Sequence, residues 1–157
     1  MTEPQKIISI GNVHYSQDDV ANHTIKEQGK QKIYCVWLKN GLSLEYPRQE
    51  GEGGTVEVKN KGLFGRENTW FRDLNGAIIR GSKNRDNLSI YGCKNSEVDV
   101  SEDEKLLGGD EVFVSKDLPN ENVVIKRDDG DRVIVPPTGT IFTNMHNEFN
   151  TDWGAIR

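Results

Sequence analysis

The chain has 157 residues, of which 34% are hydrophobic and 29% are charged, and its formal net charge is −5. This length suffices for one domain with its own core, and we expect a single domain over 1–157. The negative charge argues against a nucleic-acid partner, because phosphates require clustered Lys and Arg. No apolar run is long enough to span a membrane, and Met1–Ile10 lacks the apolar run of a secretory signal peptide.

The N-terminal part, residues 1–31, predicts one strand and one short helix. Ile7, Ile8 and Ile10 indicate the strand. Ser16 followed by Asp18 and Asp19 is typical of a helix N-terminus, where a hydroxyl caps and acids face the helix dipole. The helix would end at Gly29, since glycine favours the position after a last helical turn.

The segment 32–74 predicts an antiparallel hairpin followed by two strands. Residues 32–39 are rich in aromatic and β-branched side chains, and 42–46 alternate between apolar and polar. Asn40-Gly41 between them is a strong hairpin signal, and Pro47 ends the second strand because it lacks a backbone donor. Further strands are predicted at 55–59 and 68–72.

A five-residue pattern recurs over 75–140: two polar residues, then an apolar residue, any residue and a second apolar residue. Each copy predicts a short strand with one buried face, because residues two apart point to the same side. The copies begin at Asn75, Asp86, Ser96, Asp110, Glu121 and Asp131. The predicted core residues are Val98, Val100, Val112, Val114, Val123, Ile125, Val133 and Val135.

The spacing of these copies predicts two interleaved series of strands. Val56, Ala77, Val98 and Val123 form one series, and Leu88, Val112 and Val133 form the other. A near-constant pitch of this kind favours an all-β fold with a β-solenoid or β-roll-like region over about 55–140, in which the strands of Val98 and Val123 are parallel neighbours. The alternative is an antiparallel meander that forms a sandwich or barrel, with Asp129-Gly130 as a hairpin turn. Residues 141–157 form a C-terminal tail.

Part of the repeat region, residues 84–135, resembles the hemolysin-type (repeat-in-toxin) calcium-binding repeats, whose nonapeptide is G-G-x-G-x-D-x-U-x. Gly108-Gly109-Asp110-Glu111-Val112-Phe113 matches the second half of that motif, and the segments at 84–89 and 129–134 match it when Asn or Asp replaces the glycine. The resemblance implies a parallel roll with calcium bound at turns.

Asp86, Asp110 and Asp131 occupy the same place in the pattern, two residues before an inward apolar residue. In a stacked coil they would share one edge, where carboxylates repel unless a cation bridges them or basic side chains neutralise them. They are therefore the candidate calcium ligands. Basic neighbours that could replace the metal are Arg85, Lys105 and Arg132.

No catalytic signature is present. The three histidines lie at no metal-ligand spacing, and Cys35 and Cys93 form no zinc motif, although a disulfide between them stays open. Trp37, Trp70 and Trp153 could form, with Tyr46, a platform for a protein or carbohydrate partner, or they could cap the core.

These observations favour a non-enzymatic β-rich binding or structural module of an exported or surface bacterial protein, with calcium as the one candidate cofactor. The alternative is a small carbohydrate-active enzyme on a β-helical scaffold, which would need two carboxylates in a groove.

Overall fold

The computed structural model describes residues 6–60, 67–80, 87–99, 111–114, 120–126, 132–134 and 139–142. Within them the fold is all-β, with fourteen strands and one 3₁₀ turn at Gln17–Asp19. The strands, in chain order, are β1 Ile7–Ile10, β2 Val13–Ser16, β3 Val20–Gln28, β4 Gln31–Leu38, β5 Ser43–Pro47, β6 Thr55–Asn60, β7 Glu67–Arg72, β8 Ile78–Arg80, β9 Asn87–Tyr91, β10 Lys94–Asp99, β11 Glu111–Val114, β12 Glu121–Lys126, β13 Arg132–Ile134 and β14 Gly139–Phe142. No helix among these residues is long and apolar enough to cross a membrane.

The strands form two open sheets of mixed direction, neither of them closed into a barrel. Sheet A has the order β1-β2-β6-β7-β9-β11-β14, and sheet B has the order β13-β12-β10-β8-β5-β4-β3. Both sheets contribute to one hydrophobic core, so their inner faces pack against each other. The strands that contribute to this core therefore have an inner face toward it and an outer face away from it.

The helix predicted from Ser16 to Gly29 is wrong. Only Gln17–Asp19 form a helical turn, and Val20–Gln28 is a strand that pairs antiparallel with β4. Gly29, with a φ of 64°, is the first central residue of the two-residue turn between these strands, the place where a type II′ turn requires a positive φ. The glycine expected to end a helix thus makes a hairpin.

The predicted hairpin over 32–46 is confirmed as β4 and β5. The Leu38 N–H donates to the Leu42 carbonyl at 2.8 Å, and the Gly41 N–H donates back to Leu38 at 3.0 Å. The Asn40 side chain accepts a hydrogen bond from the Leu42 N–H at 3.1 Å, which fixes the turn locally. The strands predicted at 55–59 and 68–72 are confirmed as β6 and β7.

From β7 to β12 the chain alternates between the two sheets. In sheet A, β7, β9 and β11 are parallel neighbours, and in sheet B so are β8, β10 and β12. Val98 pairs with Ile125 and Ser96 with Val123, which confirms that the strands of Val98 and Val123 are parallel neighbours.

Two members were assigned to the wrong series. Val56 lies on β6 in sheet A, apart from the β8, β10 and β12 strands of its predicted series. Val133 lies on β13 in sheet B, where it pairs antiparallel with Ile125. The strand order thus combines parallel pairs in the middle of each sheet with antiparallel pairs at its edges.

The core confirms the inward face of the pattern where side chains are described. Val98, Val123 and Ile125 are at most 1% exposed. Each such side chain stabilises the fold by about 1.5–3 kcal/mol through burial. The side chains of Val100, Val112, Val114, Val133 and Val135 lie outside the described set.

Candidate functional site

The residues predicted to bind calcium, Asp86, Asp110 and Asp131, lie outside the described residues, as does Trp153. The strand after Asp131 belongs to sheet B, whereas those after Asp86 and Asp110 are neighbours in sheet A. In these strands Leu88 pairs with Val112, whereas Val133 lies in the other sheet. Within the described ranges no group of three His, Cys, Asp or Glu residues could hold a metal ion.

The structure does not bring the predicted aromatic platform together. Trp37 lies on β4 between the buried Val36 and Leu38, so it is on the outer face of sheet B and 41% exposed. Trp70 lies on β7 between the buried Thr69 and Phe71, hence on the outer face of sheet A. The core separates these two tryptophans. Tyr46, the fourth predicted member, is a core residue with 1% exposure.

The outer face of sheet A carries a cluster of aromatic and basic side chains around Trp70. The Lys59 Nζ atom lies 3.9 Å from the centroid of the Trp70 ring, and the Arg72 guanidinium carbon lies 5.2 Å from it. The same guanidinium is 5.4 Å from the Tyr91 ring, which meets Trp70 edge-on at 5.2 Å. Lys59, Trp70, Arg72 and Tyr91 form what we name the Trp70 cluster.

Strand register explains why these side chains meet. Trp70 pairs with Glu57 on β6 and with Ser89 on β9, while Arg72 pairs with Tyr91. Residues directly opposite or diagonal on one face of a sheet lie within reach of aromatic and long side chains. Each cation over an aromatic face contributes about 0.5–1 kcal/mol at an exposed site. The cluster is therefore held in place before any partner binds.

The charges of the Trp70 cluster are only partly balanced. Glu57 lies 3.7 Å from Lys59, but both side chains are about half exposed, and exposed pairs of this kind contribute at most about 1 kcal/mol. Among the described residues no carboxylate lies within salt-bridge distance of Arg72. The Trp70 indole N–H is buried and has no hydrogen-bond acceptor among the described residues. The Arg72 guanidinium therefore has N–H donors that no described carboxylate accepts.

A cavity of about 210 Å³ lies at the β1-β2-β6 end of sheet A, and Glu57, the ion-pair partner of Lys59, is part of its lining. It is lined by residues of β1, β2, β6 and the 3₁₀ turn: Ile7, His14, Tyr15, Ser16, Asp19, Thr55, Val56, Glu57 and Val58. Ser16 is 8% exposed, and its hydroxyl has no hydrogen-bond partner among the described residues. A buried hydroxyl without a partner costs about 1–3 kcal/mol, so this position gains from a ligand that hydrogen-bonds to it.

The imidazole of His14 lines this cavity and is held by contacts on both sides. Its Nε2 atom lies 2.9 Å from the Glu52 carbonyl oxygen, which only accepts, so Nε2 carries a proton. Its Nδ1 atom lies 3.3 Å from the Ser9 hydroxyl. Both ring nitrogens are thus engaged, and neither is bonded to Ser16.

Both cysteine thiols are buried, which argues against a role as nucleophile. Cys35 and Cys93 are both buried and free, so the disulfide left open by the sequence is absent here. The Cys93 thiol contacts the Phe71 carbonyl oxygen at 3.6 Å, and burial raises its pKa to about 12. This thiol stays protonated at neutral pH and therefore unreactive.

Sequence reasoning identified Trp70 as a candidate but missed Lys59, Arg72, Tyr91 and Ser16. Their spacing does place Lys59 and Glu57 on one side of β6, and Trp70 and Arg72 on one side of β7. The missing information was which strands are neighbours.

Comparisons of the chain with protein-family models, with curated proteins and with solved structures found no match.

Proposed function

We propose that this chain is a non-enzymatic β-rich binding module that docks a protein partner on the outer face of sheet A. The Trp70 cluster is the observation that carries the proposal. Trp, Tyr and Arg are the residues most enriched among those that dominate the energy of protein interfaces. Here all three stand together on one face of sheet A.

The order already present in the cluster supports a binding role. Immobilising a flexible side chain on binding costs about 0.5–1.5 kcal/mol. Lys59 and Arg72 are already held against Trp70, and Arg72 is also held against Tyr91. A partner that docks here pays less of this entropy than it would at isolated basic residues.

The chemistry of the face indicates what the partner presents. The Arg72 guanidinium offers several N–H donors in a fixed plane, which match a carboxylate in bidentate geometry. Among the described residues, this guanidinium contacts the rings of Trp70 and Tyr91. We therefore infer that the partner places an acidic side chain over Arg72 and an apolar or aromatic group beside Trp70 and Tyr91.

The test is affinity capture from bacterial extracts and culture medium with three immobilised proteins. These are the natural chain, Arg72→Ala and Trp37→Ala, the last being a matched control because Trp37 is an exposed tryptophan on the other sheet. A protein retained by the natural chain and by Trp37→Ala, and lost with Arg72→Ala, supports the proposal. Retention that is lost only with Trp37→Ala would refute the assignment to sheet A.

The proposal includes export and a calcium-stabilised roll, which rest on the resemblance to the repeat-in-toxin repeats. The parallel pairing of Leu88 with Val112 supports a shared register for Asp86 and Asp110. Calcium bound only by the folded chain must raise the melting temperature. We expect millimolar calcium, compared with chelator or magnesium, to raise it for the natural chain and not for Asp110→Asn. Equal melting temperatures in all conditions would remove calcium from the proposal.

A second candidate is a small carbohydrate-active enzyme, and the cavity favours it. Asp19 and Glu57 both line a space of about 210 Å³ that also contains the unpartnered Ser16 hydroxyl. Glycoside hydrolysis uses two carboxyl groups flanking the bond. The check is release of reducing ends from a panel of oligosaccharides by the natural chain and by Glu57→Gln. Hydrolysis abolished by Glu57→Gln would favour this candidate over the binding module.

A further inference from the structure

Strand β3 is a long strand at one edge of sheet B, paired with β4 on its inner side only among the described strands. It has nine residues, whereas the other three edge strands, β1, β13 and β14, have three or four. Every side chain from Ala21 to Gln28 is exposed on both faces, and Ile25 is 54% exposed. No described strand lies on its outer side. Such an edge is a template for pairing with another chain.

The hydrogen bonds of β4 identify which backbone groups of β3 are free. Both the N–H and the C=O of Leu38 bond across the turn toward β5. Successive residues of an antiparallel strand bond to alternate neighbours, so Cys35 and the other odd positions of β4 bond to β3. Cys35 pairs with Thr24, which places the even positions of β3 toward β4. The odd positions from 23 to 27 therefore direct their N–H and C=O groups outward, where the His23 N–H donates to the exposed Asn22 Oδ1 atom at 2.8 Å.

We propose that a second copy of this chain binds this edge, with the two β3 strands antiparallel and Ile25 opposite Ile25 across a two-fold axis. The backbone groups of His23, Ile25 and Glu27 then bond reciprocally to those of the partner copy. The His23 N–H exchanges its exposed bond to Asn22 Oδ1 for a backbone carbonyl oxygen of that copy. The interface is isologous, so it closes as a dimer and does not grow into a filament. Sheet B becomes continuous across the two copies, and the outer face of sheet A stays uncovered.

Side-chain complementarity selects this register and this occupant. His23 lies opposite Glu27 twice, and the two exposed Ile25 side chains meet at the axis. On the other face Thr24 lies opposite Lys26. Hydrogen-bonding polar pairs and apolar pairs at directly facing positions each contribute roughly 0.2–1 kcal/mol, and like charges destabilise.

The neighbouring symmetric registers are worse. If the two-fold axis moves by one residue toward the turn, Lys26 lies opposite Lys26 of the other copy. If the axis moves by one residue the other way, His23 lies opposite Ile25 and Glu27 lies opposite Ala21. Of these three registers, only the one centred on Ile25 pairs His23 with Glu27 and Ile25 with Ile25.

Sedimentation equilibrium and a cysteine crosslink test the proposal on the full chain. We expect the mass of the natural chain to rise with concentration from 17.7 kDa toward twice that value. Ile25→Cys should form a disulfide dimer on mild oxidation, because facing residues of a hydrogen-bonded pair have Cα atoms about 5.5 Å apart. Arg48→Cys, at an exposed loop position, is the control and should crosslink far less. Equal crosslinking by both variants, or a mass that stays at 17.7 kDa at all concentrations, would overturn the proposal.

Charge variants distinguish this pairing from any other dimer. His23→Glu places two acids opposite each other and should reduce the association severalfold. The double variant His23→Glu with Glu27→Lys restores opposite charges and should recover it. The double variant must first be shown by circular dichroism to fold like the natural chain. If it does so and still fails to recover association, the proposed register is wrong. This test is independent of the function proposed for sheet A, because none of the varied residues lies on that face.

Discussion

The hydroxyl of Tyr15 donates a hydrogen bond to the hydroxyl of Tyr46, and this bond joins sheet A to sheet B through the middle of the core. The Tyr46 hydroxyl in turn donates to the Ile10 carbonyl at 2.8 Å. Both tyrosines are 1% exposed, so their hydroxyls have no access to water. Because every group in this chain of bonds is satisfied, the core tolerates two phenols without the cost of buried unpaired donors.

Removing the central hydroxyl should cost more than removing the terminal one. Tyr46→Phe leaves the Tyr15 hydroxyl without an acceptor, and we expect it to lower the free energy of unfolding by about 1–3 kcal/mol. Tyr15→Phe leaves Tyr46 bonded to Ile10 and should cost about 1 kcal/mol. The double variant should cost less than the sum, because it also removes the orphaned donor. Urea denaturation measures the free energy of unfolding of all three variants. Additive losses would contradict the hydrogen-bond sequence from Tyr15 to Tyr46 to Ile10.

Alkaline pH should destabilise the fold through buried acids. Burial raises the pKa of Cys93 from its ordinary value near 9 to about 12, so the thiol stays protonated in the folded state while the unfolded chain ionises. The unfolded state then binds fewer protons, and the free energy of unfolding falls as the pH rises above about 9. Burial also raises the pKa of Tyr15 and of Tyr46, which adds a loss of the same sign above about pH 10.

Cys93→Ala separates the thiol from the phenols. Urea midpoints measured between about pH 8 and about pH 10 should fall less for this variant than for the natural chain, because only the thiol has begun to ionise in the unfolded state there. The two proteins should then decline together once the tyrosines contribute. Parallel curves over the lower part of the range would show that Cys93 is not the group responsible.

Adjacent residues of β12 should respond very differently to truncation. Ile125 is fully buried between the sheets, and Ile125→Ala should cost about 2–5 kcal/mol through lost burial and a cavity. Val124 points to the outer face and is only half-buried, so Val124→Ala should cost less than about 1 kcal/mol. Thermal or urea unfolding decides this, and a larger loss for Val124→Ala would mean that the inward face of the repeat was misassigned.

The sequence predicted those parts of the fold that depend on local pattern. The hairpin of β4 and β5 follows from alternation and Asn40-Gly41, and the burial of Val98 and Val123 follows from the two-residue period. The parallel pairing of their strands followed from the pitch of the repeat, which is the only long-range information in the pattern.

The remaining features depend on contacts that the pattern does not encode. Ser16, Asp18 and Asp19 carry a helix-start signal, yet Val20–Gln28 becomes a strand because pairing with the aromatic β4 outweighs weak local preference. The Trp70 cluster likewise requires β6, β7 and β9 to be neighbours. Arg72 and Tyr91 are ordinary surface residues until the sheet order sets them side by side.

The most direct measurement is isothermal titration of the captured partner with the natural chain, Arg72→Ala and Trp37→Ala. If the Trp70 cluster is the centre of the binding face, Arg72→Ala should weaken binding by about 2 kcal/mol, or roughly 30-fold in Kd, as expected for a dominant interface residue. Trp37→Ala, on the opposite sheet, should bind like the natural chain. Equal affinity of the natural chain and Arg72→Ala, with a loss for Trp37→Ala, would place the binding face on sheet B and contradict the account.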